Sequence, residues 1–525
     1  MHSLDRIALR VDEGIIMLGK FLPLAKKLVM ALIVLAGVFF IGRVYQSEKG
    51  APLQHWHTWS ADEMSASEID KASFADYMAR EEAIFRAMKS ELTDALSNDE
   101  KTPLNRFYDQ SPVYPARFYP DWNRSQVFIP QGPIRGAAVM LHGLTDSPYS
   151  MRYLALTWQQ HGFVVVIPRM PGHGTAPGSL AKANRDQWRA TTRLAVREAV
   201  RLAGPSVPLQ MVGYSNGGAL TLQYVLDSLD NPSLRRPQQI FLLSPMIGVP
   251  AYARFAGLAG WPAAFPAFAK AAWLNVVPEF NPYKYNSFPA KAARQSWLLT
   301  QALQKQIQQA ARNGKINALP PVLTFQSVMD STVSTRAVVD ALYRYLPQNG
   351  SELVLFDINQ AANAGALFRS SAYSAVNTLL PPPPRHYTTT VIANAAANSD
   401  ETVARITRAQ QTQEYAQALH IAWPQGMYSL SHVAVPFPLS DSLYGLNPQE
   451  KNQYGISLGT LSLRGETHTL AVNLDTLMRA TSNPFFPWML AQINARIDCG
   501  DQQDVTVCIR ALQGLQVSGA AGPAP

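Results

Sequence analysis

Apolar and polar positions follow three different rhythms along this chain. Residues 28–42 are an unbroken apolar run, LVMALIVLAGVFFIG, without a charge. With Arg43, Val44 and Tyr45 as an interfacial end, residues 28–45 predict a membrane-spanning helix. The preceding residues 9–24 mix apolar and charged positions and predict a segment lying along the membrane surface. From 73 to 96 the rhythm becomes helical: Phe74, Met78, Ile84, Phe85, Met88, Leu92 and Leu96 recur on one face with charges between them. Further on, short apolar runs at 136–141, 163–167, 209–212, 239–243, 322–326 and 353–356 read as buried strands. The stretches 150–160 and 186–203 between them have helical spacing. Strands alternating with helices predict an α/β fold with a mostly parallel sheet covered on both faces.

Two segments break that alternation. Residues 247–318 carry Tyr252, Phe255, Trp261, Phe265, Phe268, Trp273, Phe280, Tyr283, Tyr285 and Phe288 among several prolines. An aromatic insertion after a strand sits over the C-terminal edge of the sheet, where sites form. It is expected to be a cap, with part of its aromatics filling the cap's own core. Residues 360–425 are expected to be a second insertion, with four prolines at 381–384 and an extra strand over 387–392. The expected order is an N-terminal segment 1–27, the anchor 28–45, a linker and amphipathic helix 46–109, and the core in 110–246 and 319–517. The cap takes 247–318 and the small-residue tail 518–525 ends the chain.

Composition narrows the class. Of 525 residues, 47% are hydrophobic and 16% charged, which fits a globular body with a large core. The formal charge of +8 comes from scattered Lys and Arg with no basic run interleaved with aromatics, so nucleic acid is not an expected partner. Lys20, Lys26 and Lys27 precede the apolar run, while Arg43 and Lys49 follow it beside Glu48. The heavier positive flank predicts a cytoplasmic N-terminus and a body on the periplasmic or extracytoplasmic side. Cys499 and Cys508 are the two cysteines; their spacing is not that of a zinc site. Outside the cytoplasm a disulfide is expected, and in a reducing compartment two thiols.

The chemistry centres on Gly213-Tyr214-Ser215-Asn216-Gly217-Gly218. A G-x-S-x-G between a strand and a helix is the pattern of a sharp turn that leaves a serine hydroxyl exposed above a sheet. A serine nucleophile needs a base and a group to orient that base. Asp330, just past the strand at 322–326, is the candidate acid; a helix-capping aspartate is the bland alternative. His432, in Ser429-Leu430-Ser431-His432-Val433, is the favoured base, with His468, His386 and His420 as competitors. An oxyanion hole needs two backbone N–H groups. Asn216 follows the nucleophile, and Leu144 lies in the loop His142-Gly143-Leu144-Thr145-Asp146-Ser147 after the first core strand. His142 is expected to be structural there.

These motifs, together with Pro171-Gly172-His173-Gly174, resemble the α/β-hydrolase superfamily, in the branch of monoacylglycerol lipases, lysophospholipases, carboxylesterases and serine aminopeptidases. The order Ser215, Asp330, His432 is that of the fold. The resemblance spans roughly 110–440 outside the insertions. It implies an α/β-hydrolase fold with a cap and a serine esterase with no metal or organic cofactor; the aromatic cap and the membrane anchor together favour lipid-like or medium-chain acyl esters. It places the oxyanion on the amides of Leu144 and Asn216 and makes His173 structural. Peptide hydrolysis or acyl transfer with the same triad is an alternative, and a non-catalytic binding protein on this fold is another. Two features depart from the family: Asn216 stands where its lipases usually carry Met, and the stretch from Asp330 to His432 is far longer.

Overall fold

The computed structural model describes residues 4–249, 254–362, 369–461, 482–499 and 505–518. It begins with one continuous helix, α1 (Leu4–Glu48), with Pro23 inside it. The surface-lying segment and the span expected separately are thus a single rod. Its apolar side chains from Leu28 to Val38 are largely exposed; Leu35, for example, is 64% accessible.

Two helices, α2 (Ala66–Lys71) and α3 (Phe74–Met88), follow. Both open on capping boxes: Ser65 with Glu68, and Ser73 with Asp76, satisfy the first amides reciprocally. The region 46–109 is more than a linker. Ile69, Phe74 and Tyr77 are buried in the main core. Arg169, at the edge of the sheet, pairs with Glu63 at 2.7 Å and Glu81 at 3.0 Å.

The α/β body runs as β1 (Gln126–Phe128), β2 (Gly136–Leu141), α4 (Arg152–Gln160), β3 (Phe163–Ile167), α5 (Arg185–Ala203), β4 (Leu209–Tyr214), α6 (Asn216–Asp230) and β5 (Gln239–Leu243). A small antiparallel pair, β6 (Trp273–Asn275) and β7 (Phe288–Pro289), lies in the cap region. The body continues with α7 (Ala290–Arg312), β8 (Val322–Ser327), α8 (Thr335–Ala341), β9 (Glu352–Phe356), β10 (Thr388–Asn394), β11 (Glu401–Thr407) and β12 (Glu414–Ala422). Two C-terminal helices, α9 (Phe486–Cys499) and α10 (Val505–Ser518), end the described chain. A Cys499–Cys508 disulfide ties them together.

Ten strands form one sheet in the order β1-β3-β2-β4-β5-β8-β9-β10-β11-β12. From β3 to β10 all neighbours are parallel; β1, β11 and β12 are antiparallel to theirs. Successive side chains of a strand point to opposite faces, and β2 shows it. Ala137, Val139 and Leu141 join the core with Leu194 of α5, Leu222 of α6 and Leu303 of α7. Ala138 and Met140 join the opposite core with Trp158 of α4 and Met489 of α9. Burial on both faces explains why these strands read as continuous apolar runs.

Two expectations change. Residues 388–422, read as part of an insertion, supply β10 to β12 and lengthen the sheet itself. Within 247–318, α7 buries Leu299, Leu303 and Ile307 in the main core, so it belongs to the body. His420, a competing candidate for the base, lies in the edge strand β12 with φ +54°, away from the β2 and β4 loops.

Candidate active site

The polypeptide turns sharply between β4 and α6, and Ser215 occupies the turn with φ +53° and ψ −116°. Such a conformation costs about 1–3 kcal/mol and persists only where the surroundings impose it. Here the flanking glycines let three backbones meet. A Cβ on Gly217 would stand 2.0 Å from the carbonyl oxygen of Leu141 at the end of β2, and one on Gly213 would stand 2.6 Å from that of Gly217. The turn is pinned to β5: Ser215 N–H donates to Leu243 O at 3.0 Å, and Met246 N–H donates to Ser215 O at 2.9 Å.

Strand order places this turn at a crevice. The connection from β2 runs to β3 on one side, and the next strand, β4, lies on the other. Loops leaving the C-terminal ends of β2 and β4 diverge there, which is where open α/β sheets hold ligands. The β2 loop brings Gly143, Leu144 and Thr145; β4 brings Ser215.

Asp330 follows β8. Its Oδ1 accepts the N–H groups of Thr332 at 2.8 Å and Val333 at 3.1 Å, and its Oδ2 accepts the side-chain amide of Gln326 at 3.1 Å. His432 comes from much further away. After β12, at the sheet's far edge, the chain returns across the C-terminal ends of the strands. Asn359, beyond β9, holds the return by donating its side-chain amide to Met427 O at 2.9 Å and its N–H to Tyr428 O at 2.8 Å. Ser327 Oγ donates to Leu430 O at 2.8 Å. Trp423, Met427 and Leu430 bury themselves against Phe356 and Ile392 on the way.

The return ends with His432 between Ser215 and Asp330. Its Nδ1 is 2.7 Å from Asp330 Oδ2, and its Nε2 is 2.9 Å from Ser215 Oγ. A carboxylate at Nδ1 fixes the proton there, so Nε2 presents a lone pair to the serine hydroxyl. The ring stacks on Tyr214, centroids 5.4 Å apart, and Tyr214 OH donates to His432 O at 3.3 Å. Burial works to raise the Asp330 pKa. The facing imidazole, its hydrogen bond and the two backbone amides outweigh it and hold the carboxyl below its ordinary value. Asp330 is therefore ionised at neutral pH.

The amides of Leu144 and Asn216 make no backbone hydrogen bond among the described residues. Thr145 is held at φ +64°, and its carbonyl accepts Tyr285 N–H at 2.7 Å. His142 lies 2.9 Å through Nδ1 from Gly143 O, and its Nε2 accepts Met170 N–H at 3.1 Å. Burial lowers its pKa, so it is a neutral brace under the loop. His173 packs edge-on against it at 5.2 Å, and burial lowers its pKa well below the usual value. His142 is engaged by backbone groups through both nitrogens and His173 through Nδ1, 3.1 Å from Pro171 O; both lie outside the Ser215 chain. The side-chain amide of Asn216 is buried without a partner among the described residues.

Above Ser215 opens a cavity of about 730 Å³, walled mostly by apolar side chains such as Met246, Phe255, Leu274, Phe280, Phe288 and Val433. The structure thus brings together Ser215, Asp330, His432 and the amide-bearing loops of Leu144 and Asn216. His386 sits by Gln410 at 3.2 Å before β10, and His420 is on β12, both away from the crevice. His468 lies outside the described residues. The sequence reading missed Tyr214, which braces the imidazole; its place beside the elbow serine was the available signal. It also missed Tyr285, whose tie to the β2 loop is visible only in three dimensions.

Residues 132–357 match the family model described as serine aminopeptidase, S33. That range contains Ser215 and Asp330 and stops before His432. A thermostable monoacylglycerol lipase of Bacillus sp. (strain H-257) is 32% identical over 106 residues, 20% of this chain and 40% of that protein. The chain thus spans well under half the length of this curated relative. Among solved structures, a metagenome-derived lipolytic enzyme from a study of LipS and LipT is 21% identical, covering 49% of this chain and 97% of that one, with a TM-score of 0.35. A soluble variant of the monoglyceride lipase of Saccharomyces cerevisiae is 18% identical over 44% of this chain and 81% of that one, TM-score 0.34. The monoacylglycerol lipase of Paleococcus ferrophilus is 17% identical over 48% and 98%, TM-score 0.34.

Proposed function

With the chain placed in the α/β-hydrolase superfamily, we propose that it is a serine hydrolase of carboxylic esters, anchored in a membrane by residues 28–45. The observation that carries this reading is the hydrogen-bonded series Ser215 Oγ, His432 Nε2, His432 Nδ1, Asp330 Oδ2, with steps of 2.9 and 2.7 Å.

In the proposed reaction Ser215 Oγ attacks the ester carbonyl carbon while its proton passes to His432 Nε2. Asp330 keeps the imidazole in the right tautomer and stabilises the imidazolium. The carbonyl electrons move to oxygen, and that oxyanion lies on the amides of Leu144 and Asn216 at the N-terminus of α6. Collapse breaks the C–O bond, and the leaving alkoxide takes the proton from His432. Water, deprotonated by the same nitrogen, then releases the acid and restores Ser215.

The apolar cavity supports a lipid-like or medium-chain acyl group. It also favours ester cleavage over the aminopeptidase action that the matched family's description raises. An aminopeptidase must neutralise a substrate ammonium, and no carboxylate is found among the described residues lining the cavity. Acyl transfer to an alcohol in place of water uses the same groups; products formed in the presence of an added alcohol separate the two.

The lysines before residue 28 support a cytoplasmic N-terminus and a catalytic body on the opposite side. The Cys499–Cys508 disulfide fits that address.

The test is Ser215→Ala in the full chain in detergent. Ester turnover and covalent labelling by a fluorophosphonate should both vanish while the fold, followed by circular dichroism, is kept. Turnover that survives the substitution sinks the mechanism.

A further inference from the structure

The cavity has a wall that does not come from the hydrolase body. Phe39, on α1, lines it together with Phe255, Ala256 and Ala259 of the cap. The next residue, Phe40, meets Trp261, Phe265 and Phe268 edge-on, with centroids 5.5–6.0 Å apart. Helix and cap are also fastened by polar contacts in both directions. Arg43 donates from Nε to Ala259 O at 3.0 Å and from its terminal nitrogen to the carbonyls of Ala271 and Trp273. Lys270 of the cap donates to Glu48 O at 3.1 Å and Gly50 O at 3.0 Å, at the C-terminal end of α1, where a cation is favoured. Arg43 was expected to snorkel to the interface, but its guanidinium is spent on cap carbonyls.

These contacts set a depth. The apolar run ends at Gly42, so Phe39 and Phe40 lie about 3–5 Å inside it at 1.5 Å rise per residue. The cap segment that touches them is therefore at the level of lipid. Its outer surface agrees: Phe255, Leu258, Trp261, Phe265 and Leu274 are each 43–54% exposed. Through Phe40 this patch is continuous with the exposed apolar flank of α1. An exposed patch of large apolar side chains marks an interaction surface, and here the flanking helix says which. Water leaves this surface unsatisfied, whereas hydrocarbon covers it as it covers α1.

We propose that the cap is sunk into the leaflet where α1 ends, and that α1 is a wall of the acyl pocket. A bilayer-resident ester then reaches Ser215 sideways, without crossing water, its chain passing Phe39. The substrate's route rests on the reading of Ser215 as an ester hydrolase nucleophile, and the embedding of the cap on the reading of residues 28–45 as a membrane anchor.

Two measurements on the full chain in phosphatidylcholine vesicles test it. In the first, the fluorescence lost in Trp261→Phe is compared in plain vesicles and in vesicles of phosphatidylcholine brominated on its acyl chains. The Trp261 contribution should be quenched by the brominated lipid; a contribution that bromine leaves unchanged overturns the embedding. In the second, a long-chain ester carried in the vesicles and an acetyl ester in water are compared in Phe39→Ala, Phe39→Trp and Val38→Ala. Val38 is lipid-exposed and outside the pocket lining. The long-to-short ratio should move about fivefold or more with Phe39, in opposite directions for the smaller and larger side chain, as expected for an apolar pocket wall. It should hold within about twofold for Val38→Ala. An unmoved ratio in both Phe39 variants overturns the wall. Loss of all ester turnover and of fluorophosphonate labelling in the unmutated chain refutes the hydrolase reading instead, and the quenching result still judges the cap.

Discussion

Asp330→Asn is the substitution whose outcome the geometry constrains most. The side chain keeps its volume, and its two oxygens have different partners. Oδ1 accepts two backbone amides, from Thr332 and Val333, which cannot change role. An asparagine must keep its oxygen on that side, so its NH₂ replaces Oδ2 at 2.7 Å from His432 Nδ1. Two donors cannot face each other, and His432 is driven to carry its proton on Nε2. The nitrogen facing Ser215 Oγ then has no lone pair to receive the hydroxyl proton. Gln326, which donates to Oδ2, adds to the conflict unless its amide turns, and turning removes its bond to Ser327 O. An imidazole locked in the wrong tautomer lowers kcat by about 10⁴ in a serine triad. That is about 5 kcal/mol of transition-state stabilisation. The assay is kcat on a water-soluble short-chain ester, with the rate of fluorophosphonate labelling as a second readout. Both should fall together, with near-native thermal stability because the Thr332 and Val333 bonds survive. A loss smaller than about tenfold would refute the assigned roles of Asp330 and His432.

Three further outcomes follow from other sites. Asn216→Ala should leave kcat within about tenfold, because the oxyanion is assigned to the backbone amide alone; a loss like that of Asp330→Asn would give the side chain a role. His57, buried with its Nδ1 accepting Gln54 N–H at 2.9 Å and its Nε2 3.0 Å from Ser287 Oγ, has its pKa lowered by burial from 6.5 to about 4. The unfolded chain takes up a proton near 6.5 and the native one only near 4, so stability is full above this window and falls as pH drops through it. The loss is about 3 kcal/mol, and His57→Gln, which can keep both contacts, should flatten the dependence of the thermal midpoint on pH; an unchanged slope rejects this. Replacing Cys499 and Cys508 by Ser should lower stability by about 2–3 kcal/mol for so short a loop, and the unreduced native chain should take up no maleimide after denaturation.

What was legible in the sequence was what is local. The strands over 163–167 and 239–243 match the observed Phe163–Ile167 and Gln239–Leu243. These two strands, covered on both faces, carry Gln239 as their one polar position, so little blurs their ends. The elbow at Ser215 was equally legible, because its strand, glycines and helix are contiguous. The edge of the sheet was not. Strand β12 reads EYAQALHIA, rich in good helix formers, and half its positions face solvent. Pairing with β11 overrides that propensity, which a local reading cannot weigh. His432 was the favoured base in the sequence, but its route to the site was not legible: β10 to β12 stand between Asp330 and His432, and the return that brings them together is a tertiary event. Residues 46–109 look mixed and linker-like, yet Ile69, Phe74 and Tyr77 fill a core whose other members begin at Ala137 and run on to Ala393.

That long return also gives the molecule a clock. Ser215 and His432 are separated by 217 positions, and synthesis runs from the N-terminus. Residues 28–45, the elbow and the cap therefore emerge first, with the Ser215 hydroxyl still lacking the imidazole that faces it. The edge strands must form and the chain must fold back over them before His432 arrives. On the proposed reading, a partly made chain tethered in a bilayer is chemically silent toward the lipid around it, and activity begins only once the last third of the polypeptide has been delivered and docked.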